Sequence, residues 1–542
     1  MKNPIYKSSI WPLVLAMVFV GGFYLGNFNS DRATQSGFSS SSSTGSKINL
    51  ILDYIDQEYV DTTDRESLVD ETIQYLLQKL DPHSYYISAA ELKLMNEPLE
   101  GSFEGIGVQF SIQKDTIVVV SPVEGGPSEK LGISSGDRIV TIDSLLVAGN
   151  GITNSKVMKL LKGPSGTVVN VGIRRGKKPD LIDYSITRGD IPIQSVDVGY
   201  LIDDGLGYIK VSRFAKTTYE EFTEVSKQLM ELGMKKLILD LRGNGGGYMD
   251  AAIKMADEFL PKGKLIVYTQ GRARPTQEYF ATKNGDLEAI EVVVLIDEGS
   301  ASASEIVAGA LQDNDKGIIV GRRSFGKGLV QEQSNWPDGS ATRLTIARYY
   351  TPTGRCIQRP YDHGIKKYNE DFYDRYENGE ITGEDSIVKT DSLKYYTEGG
   401  KVVYGGGGIT PDIYVPIDTV GGSYYLSHLY YGNVFYQYCF EYSDKNRNRL
   451  MKFANPKDYI ANFKIDLKME EDFLKFALDL GVPFDEAGYT RSKNVIHTRI
   501  RAGIGRNIFG NEAYYPVIQE IDQTLLKAVE IINIQKLSPA SL

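Results

Sequence analysis

The sequence predicts a multidomain chain of mixed α/β and α+β class, and three observations carry that expectation. Residues 98–190 hold short β-branched runs punctuated by glycine, the pattern of a compact β-rich module. From Gly207 onward strands and helices alternate, which implies α/β layers. Both flanks, 47–97 and 421–542, repeat apolar residues at helical spacing. A chain of 542 residues is also long for one domain, at roughly 150 residues each.

The elements follow in order. Residues Ile10 to Gly26 are almost all apolar and carry no charge, with Lys2 and Lys7 before them and Asp31 and Arg32 after. The run reaches the lower limit for a spanning helix, roughly 17 residues. It lacks a clear small-residue cleavage site. Lysines ahead of the run favour a cytoplasmic N-terminus. Residues 1–28 are therefore expected to form a single-pass anchor in a bacterial inner membrane, with the rest of the chain in the periplasm. A cleaved signal peptide that releases the chain to the periplasm is the alternative. Residues 29–46, with Ser39 to Ser43, read as a flexible tether. Helices are expected from Ile48 to Ile55 and from Glu66 to Leu80, the second with Leu68, Ile73, Leu76, Leu77 and Leu80 inward; Asp81-Pro82 stops it.

In the β-rich module, Gly105-Ile106-Gly107-Val108-Gln109-Phe110 opens the pattern, Thr116 to Val120 is a strand, and Gly136-Asp137 turns into the strand Arg138 to Ile142. A short helix over Asn154 to Leu161 puts Val157, Leu160 and Leu161 on one face. This order resembles a PDZ domain of the bacterial protease type. Such modules add a peptide strand to a sheet edge and capture its terminal carboxylate with backbone amides. The resemblance implies that Gly105, Ile106, Gly107 and Val108 supply those amides, and Val157, Leu160 and Leu161 the apolar surface. In the following region, 191–420, strands are expected at Leu206 to Val211, Lys236 to Asp240 and Val292 to Ile296, and helices at Thr217 to Leu232 and Asp250 to Phe259. In the tail, Val517 to Ile532 reads as one helix.

Composition excludes some classes. Asp and Glu number 70 and Lys and Arg 60, a net charge of −10, which argues against a nucleic-acid partner. Cys356 and Cys439 are too few for a disulfide framework. Either they are buried thiols or, in an exported chain, they form one bond. The four histidines are scattered, so no metal cluster and no cofactor are implied.

The chemistry centres on Ser300-Ala301-Ser302-Ala303-Ser304-Glu305, set between an apolar strand and an apolar helix, and on Ser324-Phe325-Gly326-Lys327-Gly328. Lys327 lies 327 − 302 = 25 positions after Ser302. A serine needs a base to become a nucleophile. A lysine can be that base when burial lowers its pKa. The helix N-terminus after Ser302 offers free N–H groups to an oxyanion, with Ala303 as the natural first donor. The loop Gly243-Asn244-Gly245-Gly246-Gly247 offers a second; it lacks the Lys-Ser/Thr of a phosphate loop.

With Asp240-Leu241-Arg242-Gly243 and Leu80-Asp81-Pro82-His83-Ser84, these motifs resemble the carboxy-terminal processing peptidases, or tail-specific proteases, over roughly residues 47 to 416. The resemblance implies a crotonase-like ββα protease domain. It implies Ser302 as nucleophile, Lys327 as base, Gln331 as the group that orients the lysine, and Gly247 with Ala303 as the oxyanion hole. Ser300 and Ser304 would serve the turn and cap the helix, and His83 would be structural. The implied partners are proteins or peptides with free C-termini and the membrane; a homo-oligomer is compatible. A catalytically silent PDZ scaffold or chaperone, and an acyl-CoA enzyme of the same fold, are the rival readings. One departure stands out. Gly354 to Gln358 and Gly408 to Asp412 normally lie close together, whereas here a polar insertion, 359–404, separates them and is expected to loop out.

Overall fold

The computed structural model describes residues 44–176, 180–383 and 393–534. The proposed anchor and most of the tether lie outside the described residues. Among the described residues no helix is long and apolar enough to cross a membrane. The chain divides into two compact units, residues 1–75 and 76–542.

The first unit contains helix α1 (Thr44–Glu58) and most of α2 (Arg65–Gln78). Arg65 joins them through Asp53 (2.8 Å) and Asp56. On α2 the burial is shallower than the pattern suggests. Leu77 is buried, Leu68 and Ile73 are half-buried and Leu76 is exposed, while the helix ends at Gln78 and leaves the exposed Leu80 beyond it.

In the second unit, strand β1 (Tyr85–Ile87) and helix α3 (Ala89–Glu100) precede the β-rich module. That module pairs β2 (Ser102–Gly105) with β9 (Gly189–Pro192) and builds a six-stranded antiparallel sheet. Its strands are β3 (Val108–Gln113), β4 (Thr116–Pro122), β5 (Arg138–Ile142), β7 (Val168–Arg174) and β8 (Ile182–Thr187), with β6 (Leu145–Leu146) on β5. Two short helices complete it, α4 (Pro127–Lys130) and α5 (Asn154–Leu161). The core is branched aliphatic: Ile117, Ile139, Val157 and Ile173 are fully buried.

The region that follows is built on a second six-stranded sheet in the order β10 (Val196–Asp203), β11 (Leu206–Val211), β12 (Lys236–Asp240), β15 (Glu291–Ile296), β16 (Gly317–Gly321), β21 (Ile413–Tyr414). From β11 to β21 the strands run parallel. Covered on both faces, they read as continuous apolar runs such as Val292 to Ile296. Helices α6 (Thr218–Glu231), α7 (Met249–Asp257) and α8 (Ala303–Asp313) fill one side through Phe222, Met255 and Ile306. A five-stranded sheet stands beside them: β1, β13 (Leu265–Gln270), β14 (Gln277–Phe280) and the long hairpin β17 (Leu329–Asn335)–β18 (Ala341–Tyr350).

Two expectations are corrected here. The insertion does not simply loop out. Its first half forms helix α9 (Ile365–Glu377), and its end forms the hairpin β19 (Lys394–Tyr396)–β20 (Val402–Tyr404). Arg375 on α9 is buried and donates to the carbonyls of Arg323 (3.1 Å), Ser324 (2.9 Å) and Phe325 (3.4 Å), the turn that leads to Lys327. Nor is Val517 to Ile532 one helix. Helices α10 (Tyr424–Tyr431), α11 (Val434–Leu450), α12 (Pro456–Asn462), α13 (Leu467–Asp479), α14 (Glu486–Phe509) and α15 (Asn511–Ile518) form a bundle, and α16 (Gln523–Ile534) follows after a break. At the break, Asp522 accepts from Leu525 N–H (3.1 Å) and from both Nη atoms of Arg242 (2.9 and 2.7 Å). That ion pair and cap outcompete helix continuity. Beyond it, Leu525, Ala528 and Ile532 cover the free face of the parallel sheet. Cys356 and Cys439 are free thiols, and Cys439 is buried.

Candidate active site

Strand β15 ends at Ile296, and the chain turns through Ser300 and Ala301 to Ser302, the residue before α8. Ser302 has φ 56° and ψ −113°, a backbone conformation that costs a side-chain-bearing residue free energy and that functional turns retain. Hydrogen bonds fix this geometry. Ser300 Oγ donates to Leu241 C=O (2.9 Å), and Ala301 N–H donates to Asn244 C=O (2.9 Å). Ser304 does not cap the helix; its Oγ donates to Asn244 C=O (2.8 Å), and it lies inside the helix, which starts at Ala303.

The glycine loop fits closely against this turn. A Cβ on Gly246 would stand 2.8 Å from Ser302 Cβ, and one on Gly247 would stand 2.0 Å from Phe214 O. Both residues have positive φ, 96° and 148°. Gly246 N–H is committed to Asn244 Oδ1 (2.9 Å). Among the described residues no acceptor takes the N–H of Gly247 or of Ala303.

Lys327 sits in the turn before β17. Its Nζ donates to Gln331 Oε1 (2.8 Å), and Gln331 Nε2 donates to the His83 carbonyl. Burial lowers the Lys327 pKa, and the Arg343 guanidinium adds to this; Glu305 and Asp81 oppose it. His83 is itself driven down to about 4, by burial first and the Lys327 charge second, so its ring is neutral. That ring lies 2.7 Å from Tyr368 Oη of α9 and supports the lysine turn from behind. Ser302, Lys327 and Gln331 line one cleft of about 620 Å³ with Gly246, Gly247 and Tyr349. No hydrogen bond joins Ser302 Oγ to Lys327 Nζ among the described residues. A larger cavity of about 810 Å³, between Gln113 and Lys114 and helices α11 and α13, contains none of these groups.

Two residues escaped the sequence reading. The buried Glu305 carboxylate accepts from Ser302 N–H (2.8 Å), Gly326 N–H (2.7 Å), Lys327 N–H (2.9 Å) and Ser324 Oγ (2.5 Å). Burial raises its pKa against those four donors. Tyr349 Oη stands 3.0 Å from the Ser302 carbonyl oxygen and 2.5 Å from that of Lys327, which share its one proton. Both residues tie the serine turn to the lysine turn. The third position of α8 was a readable signal for Glu305; Tyr349 had none.

A separate apolar groove of about 530 Å³ lies in the β-rich module. Gly105, Ile106, Gly107 and Val108 line it, as expected, with Phe103, Phe110, Met158 and Leu161. No acceptor takes the N–H of Ile106 or Gly107 among the described residues. Val157 and Leu160 do not line the groove. Val157 is fully buried in the module core and Leu160 packs against that core, because the helix turns 100° per residue and presents Met158 instead. The far wall is helix α3, through Leu94, Glu97 and Pro98. Its other side, through Asn96, Leu99 and Glu100, lines the Ser302 cleft. Among the described residues no group of three or more potential ligands is placed to hold a metal.

Family models and known proteins match several stretches of the chain. The profile of peptidase family S41 matches residues 205–367, that of the PDZ domain residues 105–186, and a family of unknown function residues 425–510. A carboxy-terminal-processing protease of Bartonella bacilliformis is 37% identical over 313 residues, 57% of this chain and 71% of the relative. The carboxy-terminal processing protease CtpA of Bacillus subtilis is 35% identical over 339 residues, 62% of this chain and 71% of the relative. CtpB of the same organism is 35% identical over 316 residues, covering 58% and 65%. A PDZ domain, an S41 domain of mixed α/β structure and a helical C-terminal region thus follow one another, and the chain belongs to the carboxy-terminal processing serine proteases of peptidase family S41.

Proposed function

We propose that the chain is a serine endopeptidase that cleaves extracytoplasmic proteins from near their C-termini through an acyl-enzyme. The observation that carries the reading is a half-buried lysine, oriented by Gln331, in the cleft that also holds a serine of strained backbone at a helix N-terminus. Ser302 Oγ attacks the scissile carbonyl while neutral Lys327 Nζ takes its proton. The N–H groups of Gly247 and Ala303 receive the oxyanion; their lack of other acceptors supports this pairing, and the Asn244 bond removes Gly246. Collapse of the intermediate expels the amine, which takes the proton back from Lys327. Water, deprotonated by the same lysine, then releases the acyl group. The serine–lysine hydrogen bond belongs to the substrate complex, since catalytic bonds often tighten only there.

The groove of Gly105 to Val108 holds the substrate tail, with the free amides of Ile106 and Gly107 at its carboxylate. The crotonase-like description of the catalytic sheet and the domain limits 47–97, 98–190, 191–420 and 421–542 belong to this reading. So does placement of the catalytic body in the periplasm, held by an anchor at Ile10 to Gly26 or freed by its cleavage.

Ser302→Ala and Lys327→Ala are expected to lower peptide turnover by a thousandfold or more. Circular dichroism should stay unchanged. Near-normal turnover by Ser302→Ala would sink Ser302 as the nucleophile, and absence of turnover by the unaltered protein would favour the silent-scaffold reading. N-terminal sequencing of the mature protein decides between anchor and cleaved signal.

A further inference from the structure

Arg343 projects from β18 between Tyr85 of β1 and Gln333 of β17, its cross-strand neighbours. Its Nε donates to Gln333 Oε1 (3.1 Å), and its two Nη atoms donate to Tyr85 Oη (2.7 Å) and Asn96 Oδ1 (2.8 Å). All three acceptors are neutral. Other buried or half-buried arginines of the same unit pair with acids: Arg322 with Glu298, Arg323 with Glu380, Arg355 with Asp313 and Arg359 with Asp371. Among the described residues Arg343 pairs with no carboxylate, although it is only partly exposed and lines the cleft beside Ser302 and Lys327. The acids of that cleft are engaged elsewhere, Glu100 with Lys216 and Asp250 with Lys254. A half-buried cation without a counter-charge is costly. Three fixed acceptors orient its planar fork and leave two N–H bonds free, a geometry that suits a carboxylate.

Resting on the endopeptidase reading, we propose that Arg343 is a specificity-determining residue that receives a carboxylate of the peptide substrate close to the scissile bond. Two sources share that chemistry, an Asp or Glu side chain and the C-terminal carboxylate of a short substrate. The same charge acts on the base. The charged or titratable groups facing Lys327 are Arg343, Glu305, Asp81 and the neutral His83. Of these, Arg343 favours the unprotonated amine.

The test uses the full chain and quenched peptides of one sequence, with Glu or Gln at each position flanking the scissile bond, each as free acid and amide. At one position the Glu peptide should show a KM about tenfold or more below its Gln twin. Arg343→Gln should erase that preference through KM, and Arg343→Lys should keep part of it. If discrimination follows the free terminus regardless of side chain, the recognised carboxylate is the substrate's own C-terminus. In Arg343→Gln the alkaline rise of kcat should also move to higher pH, because Lys327 loses a repelling neighbour; a purely structural role moves neither readout. Binding of labelled Glu and Gln peptides to Ser302→Ala protein measures the preference even without turnover. Equal KM and equal binding across all twins, or full discrimination by folded Arg343→Gln, would overturn the inference. Loss of turnover in Ser302→Ala alongside equal twins would leave the endopeptidase reading standing and remove this one alone.

Discussion

The Ser302 cleft and the groove of the PDZ module are built by opposite means. Around the cleft, polar bonds converge on backbone: Glu305 accepts four donors, Tyr349 bridges two carbonyls, and Arg375 holds three. The groove has few such bonds; its walls are Phe103, Phe110, Met158 and Leu161, and among the described residues its amides at Ile106 and Gly107 meet no acceptor. A site for bond breaking tolerates little displacement, because the donors must meet the oxyanion at hydrogen-bond distance. A site for holding varied tails gains from soft apolar surface and a few fixed amides. Polar bonds are thus densest at the cleft to which the proposed chemistry is assigned.

The comparison can be broken first at the glycine loop. Gly247→Ala should lower kcat by a hundredfold or more, since the new methyl meets the Phe214 carbonyl at 2.0 Å and the N–H must move. Steady-state kinetics on a short peptide measures this, and a kcat within tenfold of wild type would count against Gly247 as an oxyanion donor. Smaller, and aimed at the scaffold, is Glu305→Gln. Its amide carries two donors toward a site that needs four acceptances, so about 1–3 kcal/mol of stability should be lost. Urea unfolding followed at the protease domain reads this, and kcat should fall further than KM rises. The smallest effect belongs to the groove: amidating the C-terminus of a protein substrate should raise KM about tenfold and leave kcat nearly unchanged. Equal processing of acid and amide would show that the groove does not read the terminus.

Legibility in the sequence divides along the same line. The strands Leu206–Val211 and Lys236–Asp240 were readable to the residue, because buried parallel strands are unbroken apolar runs bounded by turns. Small-residue settings and the family resemblance singled out Ser302 and Lys327, and the structure places both on one cleft. Their supports were not. Tyr349 reaches Ser302 across 47 positions and Gln331 reaches His83 across 248. Such partnerships arise from sheet register, which local spacing does not encode. Helical phase misplaced Val157 by a single position relative to Met158. The insertion was opaque for a similar reason: Arg375 looks like any surface arginine until α9 folds onto the lysine turn.

Helix α3 separates the two sites, with Leu94, Glu97 and Pro98 on one and Asn96, Leu99 and Glu100 on the other. A helix with its side chains is about 10–12 Å across. Half its girth is on the order of 15–20 Å, and an extended peptide covers about 3.3 Å per residue. On the endopeptidase reading proposed above, a tail lodged in the groove needs roughly five residues to skirt the helix before its chain reaches Ser302. The wall would then act as a ruler, and the first fragment cut from a held substrate is expected to have a minimum length set by the thickness of one helix.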